Sequence, residues 1–170
     1  MQDYIDLRRP DVLAEFDWIQ SIESEMELIR IASYAIQSDG KRSSHHYRKS
    51  LELLGRVHET LLASKSKLAR LRTFDEIHSF LESSIGDFVG VSELYIYDTS
   101  LVLSVRRSIY PERIYLHTGT REGARKLRLS FRKKYLEKSD VPKVFCALEP
   151  HEIEDVFCIY KDYFADLLSA

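Results

Sequence analysis

Asp98 and His117 are the residues whose types best fit acid/base chemistry. Asp98 stands in Tyr97-Asp98-Thr99, inside a run with helical periodicity, where aspartate is a poor helix former. A carboxylate in that setting needs a partner. One expectation is His117, with Tyr115 beside it, giving a carboxylate and an imidazole for general acid/base work. The other is structural: Asp98 accepts hydrogen bonds from the 115–120 loop, or from an arginine, and locks two segments together. Thr118-Gly119-Thr120 follows His117 and precedes a helix. Small residues at a helix N-terminus suit an anion, and Thr118 or Thr120 can equally cap that helix. His45-His46 lies in a loop, where adjacent rings point different ways and a metal would need a third ligand from elsewhere. The two cysteines, Cys146 and Cys158, have no second pair beside them. They fit neither zinc nor an iron–sulfur cluster, so neither a metal nor a cofactor is expected.

Phosphate contact has two candidate sources. Arg121, Arg125, Arg128 and Arg132 recur at steps of four, three and four, and share one face if their helix persists. Lys126, Lys133 and Lys134 lie alongside. The second source is Phe88-Val89-Gly90-Val91-Ser92-Glu93-Leu94. Glycine permits a tight turn there, and the free N–H groups of the helix that follows carry positive partial charge. Gly90, Val91 and Ser92 are the turn residues that would face a phosphate oxygen.

The elements that position these groups read as helices throughout. Apolar residues from Val12 to Ile36 fall at steps of three and four, predicting one helix over Asp11–Gln37 that Asp39-Gly40 closes. A second long helix is expected from Tyr47 to Leu71, with Leu51, Leu54, Val57, Leu61 and Leu68 inward. Its outer side is basic: Arg48, Lys49, Arg56, Lys65, Lys67 and Arg70. Thr73-Phe74-Asp75-Glu76 is a capping box and opens a short helix to about residue 86. Ser92-Glu93 opens another to about Val105, with Leu94, Tyr97, Leu101 and Val105 as its stripe. Ile114-Tyr115-Leu116 is too short to separate strand from extended loop. A helix from Thr120 to about Leu129 follows, with helical continuation over Phe131–Lys138. Pro150 suits a first helical position, opening a last helix from His151 to Leu168 with Ile153, Val156, Phe157, Tyr160, Phe164 and Leu167 inward. Together these predict an all-α fold over residues 1–170. It is a single domain of six to eight helices with a hairpin-containing core at 74–126.

At 170 residues and 44% hydrophobic content the chain can build a sizeable core. It has no run of about 18 apolar residues, which excludes a membrane span. Its start, MQDYIDLRRPD, is unlike a secretion signal, so a cytoplasmic location with reduced thiols is expected. The net charge of −2 hides blocks. Residues 41–72 hold nine Lys/Arg against two Glu, and residues 106–138 hold eleven against three. The remainder is strongly acidic. Such segregation builds distinct fields for a partner, or lets the blocks pair with one another.

From about residue 86 to 126 the chain resembles the helix-hairpin-helix DNA glycosylase superfamily. The residues that carry the likeness are the Gly90 turn, the helix to Val105, Tyr115-Leu116-His117-Thr118 and the helix from Arg121. Ser92 replaces the second hairpin glycine, and Leu94 falls where lyase-type members place a catalytic lysine. No aspartate occurs in the 115–117 segment, and the iron–sulfur cysteines are absent. The resemblance therefore implies the scaffold and DNA contact, and argues against glycosylase chemistry. The whole chain also resembles a group of uncharacterised bacterial proteins through Glu93-Leu94, Tyr97-Asp98-Thr99, Pro111–Thr120 and Glu152–Lys161.

The expectation is a nucleic-acid-binding protein rather than an enzyme. Its site residues would be Gly90, Val91, Ser92, Arg121, Arg125, Lys126 and Arg128. The alternatives are an enzyme on nucleic acid or nucleotide using Asp98 and His117 at the hairpin cleft, and a protein-interaction or homo-oligomer module built on the acidic and basic faces.

Overall fold

Hydroxyl side chains set the start of four of the helices. In the computed structural model, which describes residues 2–164, Ser24 accepts from Glu27 N, Ser50 from Leu53 N, Thr73 from Glu76 N and Ser92 from Tyr95 N. Each satisfies a first-turn N–H that has no intrahelical acceptor, worth about 1 kcal/mol against alanine. Among the described residues the fold is all-α, with eight α-helices and one two-stranded sheet. The chain divides into two compact units, Asp11–Tyr110 and Met1–Pro10 with Pro111–Ala170. The division at 110/111 falls inside the 74–126 stretch.

The first unit holds α1 (Arg9–Ser21, from Asp11 onward), α2 (Glu25–Tyr34), α3 (Leu51–Ala63), the short α4 (Lys65–Leu68), α5 (Phe74–Ile85) and α6 (Glu93–Val105). The single helix expected over Asp11–Gln37 is two. Its apolar spacing runs on through both, but Ser24 takes extended backbone and caps a fresh start. α2 ends at Ala35, which adopts the left-handed conformation at φ 52. Asp39-Gly40 lies beyond it, in a turn that closes a bridge between Ile36 and Arg42. The helix expected over Tyr47–Leu71 begins instead at the Ser50 cap and breaks at Ser64. The capping box at Thr73 forms as expected, with Glu76 Oε2 accepting from Thr73 N at 3.1 Å.

α6 has the expected span but not the expected single stripe. Tyr95, Ile96, Tyr97, Thr99, Ser100, Leu103, Ser104 and Val105 are all buried, as befits a helix with neighbours on several sides. It packs on α2 and α5. Leu54, Val57 and Leu61 from α3 and Ile77, Leu81 and Ile85 from α5 join the same core. Each such fully buried aliphatic side chain contributes about 1.5–3 kcal/mol. The hydroxyls of Thr99 and Ser100 donate to the carbonyls of Tyr95 and Ile96 at 2.7 and 2.6 Å, so their burial leaves no donor unmet.

The second unit begins with a π-helical segment, Tyr4–Arg8, and continues with β1 (Ile114–Tyr115), α7 (Thr118–Lys126), β2 (Tyr135–Leu136) and α8 (Pro150–Ile159). The undecided 114–116 segment is a strand, paired antiparallel with Ile114 opposite Leu136 and Tyr115 opposite Tyr135. α7 stops at Lys126 rather than Leu129, and Arg128 turns the chain in the left-handed region at φ 60. Residues 131–138, expected to be helical, are a turn followed by β2 and a 3₁₀ turn. Their backbone is drawn away from a helix by sheet pairing, in which Leu116 N donates to Lys134 O at 2.9 Å. Pro150 stands at the first helical position as expected. α8 ends at Ile159, before a 3₁₀ turn at Lys161–Tyr163. The expected continuation to Leu168, with Leu167 inward, lies outside the described residues. Ile153, Val156, Phe157 and Phe164 are buried as expected, beside Leu127, Leu136 and Phe145.

α7 and α8 approach closely at Gly123, where a Cβ would lie 2.3 Å from Phe157 O. Three acidic groups on α8 each take a partner. Glu152 accepts two bonds from the Arg9 guanidinium, at 2.5 and 2.8 Å. Asp155 accepts from Tyr4 OH at 2.8 Å, and Glu154 pairs with His117. Burial pushes Glu152 up, but the Arg9 hydrogen bonds and charge, with the Glu149 N–H, hold it below the ordinary carboxylate value. No helix among the described residues is long and apolar enough to cross a membrane.

Candidate functional site

α5 and α6 pack on each other and are joined by residues 86–92, the turn singled out in the sequence. Gly90 has φ +94, a conformation that side chains rarely adopt, and a Cβ there would meet Leu53 Cδ2 of α3 at 3.0 Å. Val91 N donates back to Phe88 O at 2.9 Å, and Ser92 caps α6. Val89, at the tip, is 96% exposed.

The basic side of the α3 region lies along this hairpin. Lys49 Nζ donates to Gly90 O at 2.6 Å and sits 4.9 Å from the Tyr95 ring centre. The Arg56 guanidinium lies 3.8 Å from the centre of the Phe88 ring, and Lys67 Nζ lies 4.8 Å from that of Phe80. Such contacts hold a cation by its attraction to the ring face while its outer side stays in water. Burial lowers the Lys49 pKa from its ordinary value. Lys49 and Arg56 were legible only as outward residues of a basic helix; their place against the turn depends on tertiary packing.

Asp98 has an imidazole partner, and it is His46. Nε2 of that ring lies 2.7 Å from Asp98 Oδ2. His46 is 1% exposed while the Asp98 side chain is 34% exposed. Tyr97 is buried with its ring against Phe74, and Thr99 is tied to the backbone. The three polar residues in mid-helix are thus explained by packing, by the His46 pair and by back-bonding. Both Asp98 and His46 line a cavity of about 170 Å³ between α1, α2 and α6.

His117 has a carboxylate partner too, in the other unit: Glu154, with both side chains buried. Asp98 and His117, expected as one pair, thus each belong to an imidazole–carboxylate pair within their own unit, His46–Asp98 and His117–Glu154. Thr120, not Thr118, secures the start of α7: its hydroxyl oxygen accepts from His117 N at 2.7 Å.

The arginine row does not survive as one face, because α7 ends before Arg128 and Arg132. Arg121 is committed to structure, donating from Nη1 to Phe131 O at 3.0 Å and Lys133 O at 2.6 Å. Lys126 pairs with Asp162 at 2.6 Å and with Glu122 at 3.8 Å. Arg125 and Arg128 are exposed. Here part of the basic block does pair with the acidic C-terminal region, one of the two outcomes the charge pattern allowed. Among the described residues no group of three His, Cys, Asp or Glu side chains is placed to hold a metal ion. No protein-family model, curated protein or solved structure matches the chain.

Proposed function

We propose that the chain binds the phosphate backbone of a nucleic acid at the 86–92 turn, without glycosylase chemistry. The observation that carries this reading is the pair of cations held at the turn, Lys49 on the Gly90 carbonyl and Arg56 over the Phe88 ring. The turn leads directly into α6, whose Ser92-capped N-terminus adds the positive end of a helix dipole next to it. A phosphate there meets two full positive charges and a partial one. Val89 gives the tip an apolar surface to rest against sugar. Arg125 and Arg128 are further exposed cations, and the reading assigns them a secondary role. With no base-reading group in view, binding is independent of sequence and falls steeply with salt.

The test is retention on duplex and single-stranded DNA at low salt, for the wild type and for Lys49→Glu with Arg56→Glu. Retention lost in the double variant, while its thermal unfolding stays cooperative, supports the reading. A wild type that is not retained, or a double variant that binds as well, overturns it.

A further inference from the structure

We propose that the cavity beside the His46–Asp98 pair is a binding site for a small organic cation, a protonated amine with a short apolar body. The site belongs to the Asp11–Tyr110 unit and does not depend on nucleic-acid binding. Its volume, about 170 Å³, is comparable to the roughly 150 Å³ of engineered cavities that take up benzene. Its walls are largely apolar, with Phe16, Ile19, Ala32, Ile36, Leu101 and Val102 among them. That suits a ligand of about six heavy atoms whose body is hydrocarbon.

The polar part of the lining asks for a donor. Among the described residues two carboxylates, Glu15 and Asp98, line the cavity, and no lysine or arginine does. Glu15 accepts from Ser38 N at 3.1 Å and from Ser38 Oγ at 2.5 Å, bonds that steady it but leave its negative charge uncancelled. Asp98 gives Oδ2 to His46 and has Oδ1 besides. Arg42, on the loop that carries His46, is turned to other work, donating to the carbonyls of Tyr47 and Lys49.

His46 supplies an independent observation. It lines the same cavity, is 1% exposed, and its Nδ1 has no hydrogen-bond partner among the described residues. When Nε2–H donates to Asp98, Nδ1 carries a lone pair, and a buried lone pair lacking a donor is a group that a ligand N–H can satisfy. A protonated amine meets all of these conditions. It brings positive charge to the two carboxylates, N–H donors to Asp98 and His46, and a hydrocarbon body to the walls. An anion meets two negative charges and no cation, and a neutral alcohol leaves the charge uncancelled.

The probe is n-butylammonium, titrated into the full chain and followed by calorimetry and amide chemical shifts. Butanol and butyrate of the same chain length serve as comparisons. Binding is expected for butylammonium, at least tenfold weaker for butanol and absent for butyrate, with shifts concentrated at residues 15, 43–46 and 98–102. Asp98→Asn is expected to weaken butylammonium at least tenfold. Because Asp98 also holds His46, Glu15→Gln provides a second variant at a partly exposed position, with a similar loss expected. No butylammonium binding, equal binding of butanol, or full affinity in Glu15→Gln overturns the proposal. DNA retention is unaffected by either variant if the two sites are separate, so failure of one reading is distinguishable from failure of the other.

Discussion

Replacing Gly123 by alanine tests the packing of α7 on α8 with a sign that helix propensity alone gets wrong. Glycine to alanine inside a helix is ordinarily stabilising by about 1 kcal/mol. At Gly123 the new Cβ would lie 2.3 Å from Phe157 O and 3.0 Å from both Phe157 C and Cα. All three atoms are backbone of α8, which cannot swing aside as a side chain can. The helices must part by about 1 Å to restore ordinary contact, disturbing Ala124 and Leu127 on one side and Ile153, Val156 and Phe157 on the other. A contact this short against backbone puts the cost in the upper part of the usual overpacking range, about 2–3 kcal/mol. The propensity gain offsets only part of that. Gly123→Ala is therefore destabilising by about 1–2 kcal/mol, a fall in Tm of roughly 2–8 °C for a chain of this size. Gly55 in α3 is the control, since a Cβ there would meet only Tyr34 OH, at 3.6 Å. Gly55→Ala should therefore stabilise by about 0.5–1 kcal/mol. Urea unfolding of both variants reads the difference directly. A Gly123→Ala protein as stable as the wild type, or more so, would refute the close approach of the two helices.

Other expectations concern the acidic helix. Arg9→Met leaves the 5% exposed Glu152 without its guanidinium. This should destabilise by about 3 kcal/mol, the lower end for a broken buried pair because the arginine is partly open to water. Urea midpoints check it, and Arg9→Met with Glu152→Gln should recover part of the loss. The Glu152 carboxyl sits below its ordinary value of 4.5 in the fold. Its contribution to stability is thus present above that value and lost as pH falls through the lower native one. His151 shifts in the same direction, although the deprotonated form that the fold favours is here the neutral one. Burial lowers its pKa below 6.5, with Glu152 and Glu149 opposing and Arg9 assisting, so the unfolded chain binds its proton first. Stability should decline as pH falls below about 6.5, and His151→Gln should flatten that part of the pH–stability profile.

Local chemistry was the legible part of this chain. The Thr73–Glu76 box and Pro150 at a helix start are satisfied within one turn, so residue types alone identify them. The break at Ser24 was hidden because the apolar spacing continues unchanged across it and hydrophobic periodicity carries no sign of a cap. The end of α7 was hidden for a different reason. Residues 131–136 double back to pair with β1, and a strand of two residues leaves no pattern of its own. Arg121 then finds carbonyls at Phe131 and Lys133 that helical continuation would never have offered it. Asp98, an aspartate in mid-helix, reads from the sequence as a residue in need of a partner. Its partner, His46, lies 52 residues earlier in a loop, and no local spacing connects the two. The same holds for Lys49 and Arg56, whose basic character was plain and whose contact with the hairpin was not.

The salt dependence of DNA binding tests the central claim most directly. Affinity for a short duplex would be measured from about 50 to 200 mM salt for the wild type, Lys49→Met and Arg56→Met. If both cations contact phosphate at the 86–92 turn, the wild-type log–log slope is negative and each substitution makes it shallower by about 0.9. Slopes unchanged by either substitution, or no measurable affinity at the lowest salt, would contradict the account.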